Sequence, residues 1–321
     1  MATTLVSDEN VVVLDGGTAT QLIEMGYDKL NDDPLWSATL LKTNPDEIKK
    51  VHKQFYQAGA DISITTSYQA SVEGFKEHLC LTEHQAIELI KDSVRLARSA
   101  ADEVEKEQGR RCYVAGSVGP YGACLHDGSE YSGNYVDAMS LSELSSWHRS
   151  RLKALVDAGA DYIAIETIPA LKEAKAILTA LEEFPNSKAF VNFSCKDGMS
   201  TCHGEKLADC IQAVFESDQV IASGINCTHP QYITSLLSSL PLDTPHKPYI
   251  VKPNSGEDWF PGKGWCTRDK SLHFLSKMVE DWIKHGANWI GGCCRIFPAD
   301  IKDIRQTLDA NPDISLKGPE V

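Results

Sequence analysis

Eight short runs of apolar residues recur along the chain, and each run is nearly continuous rather than alternating with polar residues. They lie at 11–15, 61–66, 112–117, 161–166, 189–194, 220–225, 248–252 and 288–292. Continuous apolar runs of this length are typical of parallel strands that are covered on both faces. The pattern therefore predicts eight buried parallel strands.

Helical patterns fill the segments between these runs. Helix starts are marked by Asn44-Pro45, by Thr82 with Gln85, and by Ser140 with Glu143, the last two pairs fitting capping boxes. Three predicted helices stop at a glycine shortly before a strand: Gly59, Gly159 and Gly286.

Eight strands alternating with helices predict an α/β protein, a (β/α)8 TIM barrel in a single domain, with a doubly wound open sheet as the alternative. We assign residues 1–310 to the barrel and expect a flexible tail at 311–321.

Composition narrows the classes of function. The 321-residue chain carries a net charge of −14, which argues against nucleic acid and anionic lipid as partners. No apolar run approaches the ~20 residues of a membrane span, and the N-terminus lacks the features of a signal peptide. We therefore expect a cytoplasmic protein whose ten cysteines are reduced rather than paired in disulfides.

Cysteines follow two of the predicted strands. Cys227 comes after the sixth run, and the adjacent Cys293 and Cys294 come after the eighth. The active site of a barrel lies at the carboxyl ends of its strands, so these thiols can converge there. Three thiolates with one open position suit a catalytic zinc site, although buried cysteines are often only small hydrophobic residues. We read the nearby His229 as a loop residue rather than a fourth ligand.

Other polar groups share the same strand ends. Asp15 and Glu166 close the first and fourth runs, where a carboxylate needs a partner, either a ligand ammonium or a nearby Lys or Arg. The backbone N–H groups of Gly16 and Gly17 can meet a ligand carboxylate, or the pair can simply form a turn. Asn254, beyond the seventh run, is a further candidate for substrate binding.

Several motifs together resemble the homocysteine S-methyltransferase family over residues 11 to 307. They are DGG, SVGPYGACLHDGSEYSGNY, ETIP, GINC, KPNSGE and GGCCR. The resemblance implies a zinc-dependent barrel that methylates homocysteine to methionine, with the zinc on Cys227, Cys293 and Cys294. It also implies that Asp15 and Glu166 help to bind the amino group of homocysteine, and that Gly16 and Gly17 lie near its carboxylate.

Members of that family differ in their methyl donor, which is betaine, S-methylmethionine or S-adenosylmethionine. The chain ends soon after the last predicted barrel helix, without the long C-terminal arm of the betaine enzymes. The resemblance therefore favours a sulfonium donor and is compatible with a monomer.

Tyr68 and Tyr121 are candidates for cation–π contact with the sulfonium, or else for packing. Because zinc would hold the substrate as a thiolate, we expect no separate general acid or base. The alternatives are a betaine-dependent enzyme and a zinc- or thiol-binding barrel without turnover.

Overall fold

The structure is a computed structural model that describes residues 11–242, 247–260, 264–266 and 275–316. The start of the helical pattern before Leu275 and the last five residues of the predicted tail lie outside the described residues. Within them, residues 311–316 return to the first strand, where Val11 N–H donates to Ser315 O at 2.8 Å. Flexibility of the tail stays a prediction.

All eight predicted strands are present in one parallel sheet. They are β1 (Val12–Val13), β2 (Ile62–Ile64), β3 (Tyr113–Val118), β4 (Tyr162–Ile168), β5 (Ala189–Phe193), β6 (Val220–Asn226), β7 (Tyr249–Lys252) and β8 (Ala287–Ile290). Each strand pairs with the next, β8 pairs with β1, and a parallel bridge between Leu14 and Ile62 joins β1 to β2. The sheet thus closes into the predicted barrel, and the open doubly wound sheet is wrong.

Helices surround this sheet. They are α1 (Thr18–Glu24), α2 (Leu40–Thr43), α3 (Pro45–Gln57), α4 (Val72–Leu79), α5 (Glu83–Gln108), α6 (Tyr121–Cys124), α7 (Tyr135–Ala138), α8 (Leu141–Asp157), α9 (Leu171–Leu181), α10 (Leu207–Phe215), α11 (Ile233–Ser238), α12 (Leu275–Lys284) and α13 (Pro298–Asp309). Single 3-10 turns occur at Asp28–Asp32, Trp36–Thr39, Ser129–Tyr131 and Pro230–Tyr232, and an antiparallel hairpin joins Asp258–Phe260 to Gly264–Cys266. Among the described helices none is both long and apolar enough to cross a membrane.

The predicted helix boundaries hold for physical reasons. Both capping boxes form, at Thr82 with Gln85 and at Ser140 with Glu143, whereas Asn44 precedes α3 without a side-chain capping bond. The three predicted stop glycines all have positive φ, the left-handed backbone that a glycine adopts without strain: Gly59, Gly159 and Gly286. These tight stops keep the amino-terminal rim of the barrel compact, so the long loops lie at the opposite rim.

The interior of the barrel is filled by apolar side chains that point inward from the strands. Trp289 packs its ring against Phe190 at 5.7 Å between centroids and against Tyr162 at 6.4 Å. Since strand residues alternate between faces, inward positions recur every second residue. On five strands the inward positions nearest the carboxyl rim are polar: Ser117, Glu166, Asn192, Asn226 and Lys252. The apolar side chains of Tyr162, Phe190 and Trp289 thus form a plug beneath a polar layer at that rim.

Removing the ring of Phe190, which is fully buried in this plug, should leave a cavity that the rigid sheet cannot close. We expect Phe190→Ala to lower the free energy of unfolding by about 3–5 kcal/mol in urea denaturation. Phe184 is only partly buried. Phe184→Ala is therefore the matched control and should lower the free energy of unfolding by clearly less. Equal losses for the two variants would contradict the assignment of Phe190 to the plug.

Candidate metal centre

The three cysteines predicted from the strand ends meet at the carboxyl rim. Their Sγ atoms all lie within 4.8 Å of one another, and Cys227 Sγ is 3.8 Å from Cys294 Sγ. Cys227 and Cys294 are each 7% exposed, and Cys293 is partly exposed. Loops after β6 and β8 thus bring together thiols that are far apart in the sequence.

Cys227 begins the loop after β6 with an unusual backbone. Its φ of 49° is in the left-handed region, which is disfavoured for residues with a Cβ. The turn is held on the neighbouring strand end, because Cys227 N–H donates to Lys252 O at 3.1 Å. Strained backbone of this kind clusters at functional sites, where the surrounding structure maintains it.

Gly291 and Gly292 let the chain after β8 pass close to its neighbours. A Cβ on Gly291 would lie 2.7 Å from Asp15 O, and one on Gly292 would lie 2.2 Å from a side-chain carbon of Ile296. Neither glycine has positive φ, so their role is steric room rather than left-handed backbone. Cys293 N–H donates to Pro253 O at 2.8 Å, which places the thiol-bearing turn against the end of β7.

The geometry of the cluster fits a tetrahedral metal. A tetrahedral ion with metal–sulfur bonds of about 2.3 Å separates its sulfur ligands by ~3.8 Å, the separation of Cys227 and Cys294 Sγ. Hydrogen bonds from Cys293 and Cys294 lower the pKa of the Cys227 thiol well below its usual value, whereas the pKa values of Cys293 and Cys294 are raised, first by their bonds to Cys227. The cluster therefore favours one thiolate even without a metal.

The remaining described cysteines are free thiols, and most are buried: Cys80, Cys112, Cys124, Cys195, Cys202 and Cys210. Burial raises the pKa of Cys112 to about 11 and that of Cys210 to about 12, which keeps both thiols protonated and unreactive at neutral pH. No disulfide joins the cysteines whose side chains the structure describes, and the side chain of Cys266 lies outside that description.

Asp15 is paired inside the protein. Its carboxylate accepts hydrogen bonds from Lys252 Nζ at 2.8 Å, Ser63 Oγ at 2.8 Å and the Ile64 N–H at 2.7 Å. His52 is kept neutral because burial lowers its pKa to about 4, and its Nδ1 lies 2.8 Å from Ser63 Oγ. Since Ser63 donates to Asp15, it accepts from His52. The lysine partner that the sequence left open for Asp15 is therefore present.

Glu166 is less completely satisfied. Its Oε1 accepts a hydrogen bond from Ser117 Oγ at 2.5 Å, and burial raises the pKa of its carboxyl to about 7, although the charge of Lys252 acts in the opposite direction. The side chain faces the cavity above the three thiols. A ligand cation near this carboxylate would favour its ionised form.

Other predicted residues also line the cavity. Gly17 N–H donates to Ile296 O at 2.9 Å, whereas Gly16 N–H has no acceptor among the described residues. Asn254 Oδ1 is shielded from solvent and likewise has no described partner. Both groups can therefore bind a ligand without breaking an existing hydrogen bond.

The two predicted tyrosines have different surroundings. Tyr68 lines the cavity, and its ring contacts Trp36 edge-on at 6.1 Å between centroids. Tyr121 instead packs against Tyr135 at 5.6 Å and Trp147 at 5.0 Å, and it is absent from the cavity lining. For Tyr121 the structure shows the packing role that the sequence left open.

His229 has the expected loop role. Its Nε2 lies 3.0 Å from Gly256 O, and its Nδ1 accepts from the Gln231 N–H at 3.2 Å. Because both ring nitrogens have partners, one in its own loop and one in the loop after β7, His229 is not placed as a fourth metal ligand.

Four residues of the site were missed from the sequence. Lys252 ends β7 and carries the same signal that selected Asp15 and Glu166, a charge at the end of an apolar strand. Trp36, Glu130 and Tyr131 lie in loops, where no periodicity indicates which way a side chain points. They were found only because these loops fold over the cavity, with Tyr131 Oη 3.3 Å from Cys227 Sγ.

These residues enclose a cavity of about 1030 Å³. One wall is the thiol cluster, another is formed by the strand-end charges, and the loops after β2 and β3 contribute aromatic and acidic groups. The volume is at the upper end of small-molecule sites, which typically enclose about 300–1,000 Å³. It leaves space for two small ligands beside the thiols.

Comparison with known proteins gives a consistent result. The family model described as "Homocysteine S-methyltransferase" matches residues 12–308. The homocysteine S-methyltransferase YbgG of Bacillus subtilis is 46% identical over 92% of this chain and 93% of its own, and a betaine-homocysteine S-methyltransferase of Drosophila melanogaster is 38% identical over 93% and 94%. The metallated form of the homocysteine methyltransferase MmuM from Escherichia coli superposes with a TM-score of 0.82 and 38% identity, covering 95% of this chain and 98% of that one.

The ion pair between Lys252 and Asp15 yields a test of the site's architecture. Lys252→Met leaves a buried carboxylate without its cation, and we expect the free energy of unfolding to fall by about 3–5 kcal/mol in the metal-free protein. Adding Asp15→Asn removes the unpaired charge, so the double variant should lose less than the sum of the single changes. Urea denaturation at neutral pH measures the free energy of unfolding of the two single variants and of the double variant.

The control for this cycle is Lys153, which pairs with Asp157 on the surface of α8 at 2.8 Å. Lys153→Met should change stability by at most about 0.5 kcal/mol, because exposed pairs contribute little. Strict additivity of the Lys252 and Asp15 substitutions would contradict the coupling.

Proposed function

The chain belongs to the homocysteine S-methyltransferase family, and we propose that it transfers a methyl group from a sulfonium donor to the thiol of homocysteine with the help of zinc. The donor is S-methylmethionine or S-adenosylmethionine, and the product is methionine. The single observation that carries this proposal is the buried cluster of Cys227, Cys293 and Cys294 facing the cavity. Because the family is one of methyltransferases, the protein is an enzyme, which excludes a barrel without turnover.

The donor set supports zinc. Three thiolates and one open position are typical of catalytic zinc sites, whereas structural sites are closed by four protein ligands. Bound there, zinc would lower the pKa of a thiol at the open position and hold it as a thiolate at neutral pH. The chain's own contribution is to hold Cys293 and Cys294 on a tight turn and to place Cys227 opposite them.

The strand-end groups fit the rest of homocysteine. We assign the substrate ammonium to Glu166, whose Oε1 already accepts a bond from Ser117 and whose side chain lines the cavity. Asp15 contributes to the same pocket through Lys252, which balances its charge. Gly16 N–H and Asn254 are the candidates for the substrate carboxylate and for orientation of the ligand.

The reaction balances without a proton transfer in the chemical step. The bond between the methyl carbon and the donor sulfur breaks, and its electron pair stays on that sulfur, which leaves as a neutral thioether. A lone pair of the homocysteine thiolate forms the new carbon–sulfur bond. The site therefore has to place the two sulfur atoms in line with the methyl group and to exclude water, which is largely a matter of positioning.

The aromatic wall supports a cationic donor. Trp36 and Tyr68 both line the cavity, in edge-on contact with each other, and aromatic faces attract cations at close range. Betaine is the second candidate donor, because the Drosophila relative at 38% identity is named as a betaine-homocysteine S-methyltransferase. We further propose a cytoplasmic monomer that binds neither nucleic acid nor membrane.

Removing one thiol of the cluster tests the metal role. We expect Cys294→Ala to lose the zinc that the purified wild-type protein carries at about one ion per chain and to lower turnover of homocysteine at least ~100-fold. Metal analysis by mass spectrometry and a methionine assay measure the two effects. Cys210→Ala removes a buried thiol from α10 and should leave both unchanged. Undiminished turnover in the Cys294→Ala variant would contradict a role of this thiol in binding the metal.

A donor panel tests the proposed substrate. With homocysteine as acceptor, kcat/KM for S-methylmethionine or S-adenosylmethionine should exceed that for betaine at least ~10-fold, since the donors differ in how they fit one cavity. A chelator should abolish turnover, and added zinc should restore it. Faster turnover with betaine would instead establish the second candidate.

A further inference from the structure

Glu130 places a carboxylate with one unpaired oxygen in the wall of the cavity. It lies in the 3-10 turn Ser129–Tyr131, within the loop that follows β3. Its Oε2 is shielded from solvent and accepts no hydrogen bond from any described residue. No described lysine or arginine forms an ion pair with Glu130.

A carboxylate in this state is costly for the free protein. A buried carboxylate without a partner is either protonated or stabilised in its charged form by a bound cation. Burial raises the pKa of Glu130 to about 7 and outweighs a hydrogen bond from the residue's own backbone, which acts in the opposite direction, while the nearby charge of Asp127 adds to the rise. An acid whose surroundings disfavour its charged form, in the wall of a cavity, is a candidate binding residue.

The position of Glu130 separates it from the groups assigned to homocysteine. Asp15, Glu166 and Lys252 belong to strand ends, whereas Glu130 belongs to the loop wall. The next residue, Tyr131, brings its hydroxyl to 3.3 Å from Cys227 Sγ. Glu130 is therefore part of the same chamber as the thiols, and a second ligand can contact it while homocysteine contacts Glu166.

The unpaired oxygen of Glu130 can distinguish between methyl donors by the hydrogen bonds that they offer. An ionised carboxylate only accepts hydrogen bonds, and an ammonium group supplies up to three donors. A sulfonium has no N–H or O–H to give, and the quaternary nitrogen of betaine has none either. The aromatic faces of Trp36 and Tyr68 suit such a centre, which leaves the carboxylate for a separate ammonium group on the same molecule.

We propose that Glu130 binds the α-ammonium group of the methyl donor, so that the site selects a donor that is itself a sulfonium amino acid. This inference rests on the proposed function, since it assumes a sulfonium donor. It adds a second carboxylate to the site, one for each amino acid: Glu166 for the acceptor and Glu130 for the donor. Methyl transfer itself is unchanged, because Glu130 only binds.

The test compares two donors in one variant. S-methylmethionine carries an α-ammonium, whereas dimethylsulfoniopropionate carries the same dimethylsulfonium centre without an amine. In the zinc-loaded Glu130→Gln variant we expect KM for S-methylmethionine to rise at least ~10-fold, the loss typical of a charge-assisted hydrogen bond, with kcat changed less than about threefold. The affinity for dimethylsulfoniopropionate, measured as a substrate or as a competitive inhibitor, should stay within about twofold.

Two controls accompany the variant. Asp137→Asn removes the same charge from an exposed acid on α7 and should leave both donors unaffected. Thermal unfolding shows whether Glu130→Gln is folded; we expect its Tm to equal or exceed that of the wild type, because an unpaired buried charge is removed.

Each outcome decides the matter. Equal weakening of both donors would mean that Glu130 acts on the sulfonium or on the shape of the loop, and unchanged affinity for both would mean that it binds neither. Either result overturns the inference while leaving the proposed function intact. Wild-type protein that methylates homocysteine from neither S-methylmethionine nor S-adenosylmethionine contradicts the proposed function itself, and the inference with it.

Discussion

A closed parallel sheet sends the carboxyl end of every strand to one rim, and the whole site depends on that constraint. The bridge between Leu14 and Ile62 completes the circle and places β1 beside both β2 and β8. Lys252 and Asp15, 237 residues apart in sequence, then meet across the width of β8. The thiols after β6 and β8 converge for the same reason, because only one strand separates them.

The charges at this rim suit the reaction that the site would support. Lys252 balances Asp15 in the buried floor, Glu166 remains for a substrate ammonium, and the thiol cluster tends toward one negative charge. A thiolate and a sulfonium carry opposite charges that cancel as the methyl group moves. Two charged reactants thus become two neutral thioethers, a change that a water-poor cavity favours more than bulk water does.

Much of this was predictable, and the limits have physical causes. Continuous apolar runs are typical of strands covered on both faces, and they predicted all eight strands of the sheet. The residues that follow these runs could then be placed at one rim of the barrel. Asp15, Glu166 and Cys227 followed from that placement. Glu130 and Trp36 did not, because a loop residue has no periodic face, and the partner of Asp15 needed the three-dimensional register of β7. The close contacts of Gly291 with Asp15 and of Gly292 with Ile296 likewise needed the three-dimensional structure.

The order of the site's parts along the chain has a consequence for biosynthesis. A ribosome releases Asp15 first, Cys227 more than two hundred residues later, and Cys293 and Cys294 after that. β8, which must insert between β1 and β7, is the last strand to emerge. Neither the ring of strands nor the complete thiol set can exist on a nascent chain before that point. Binding of a metal by all three thiols would therefore be coupled to closure of the barrel, and a chain truncated before β8 would offer only Cys227 of the three.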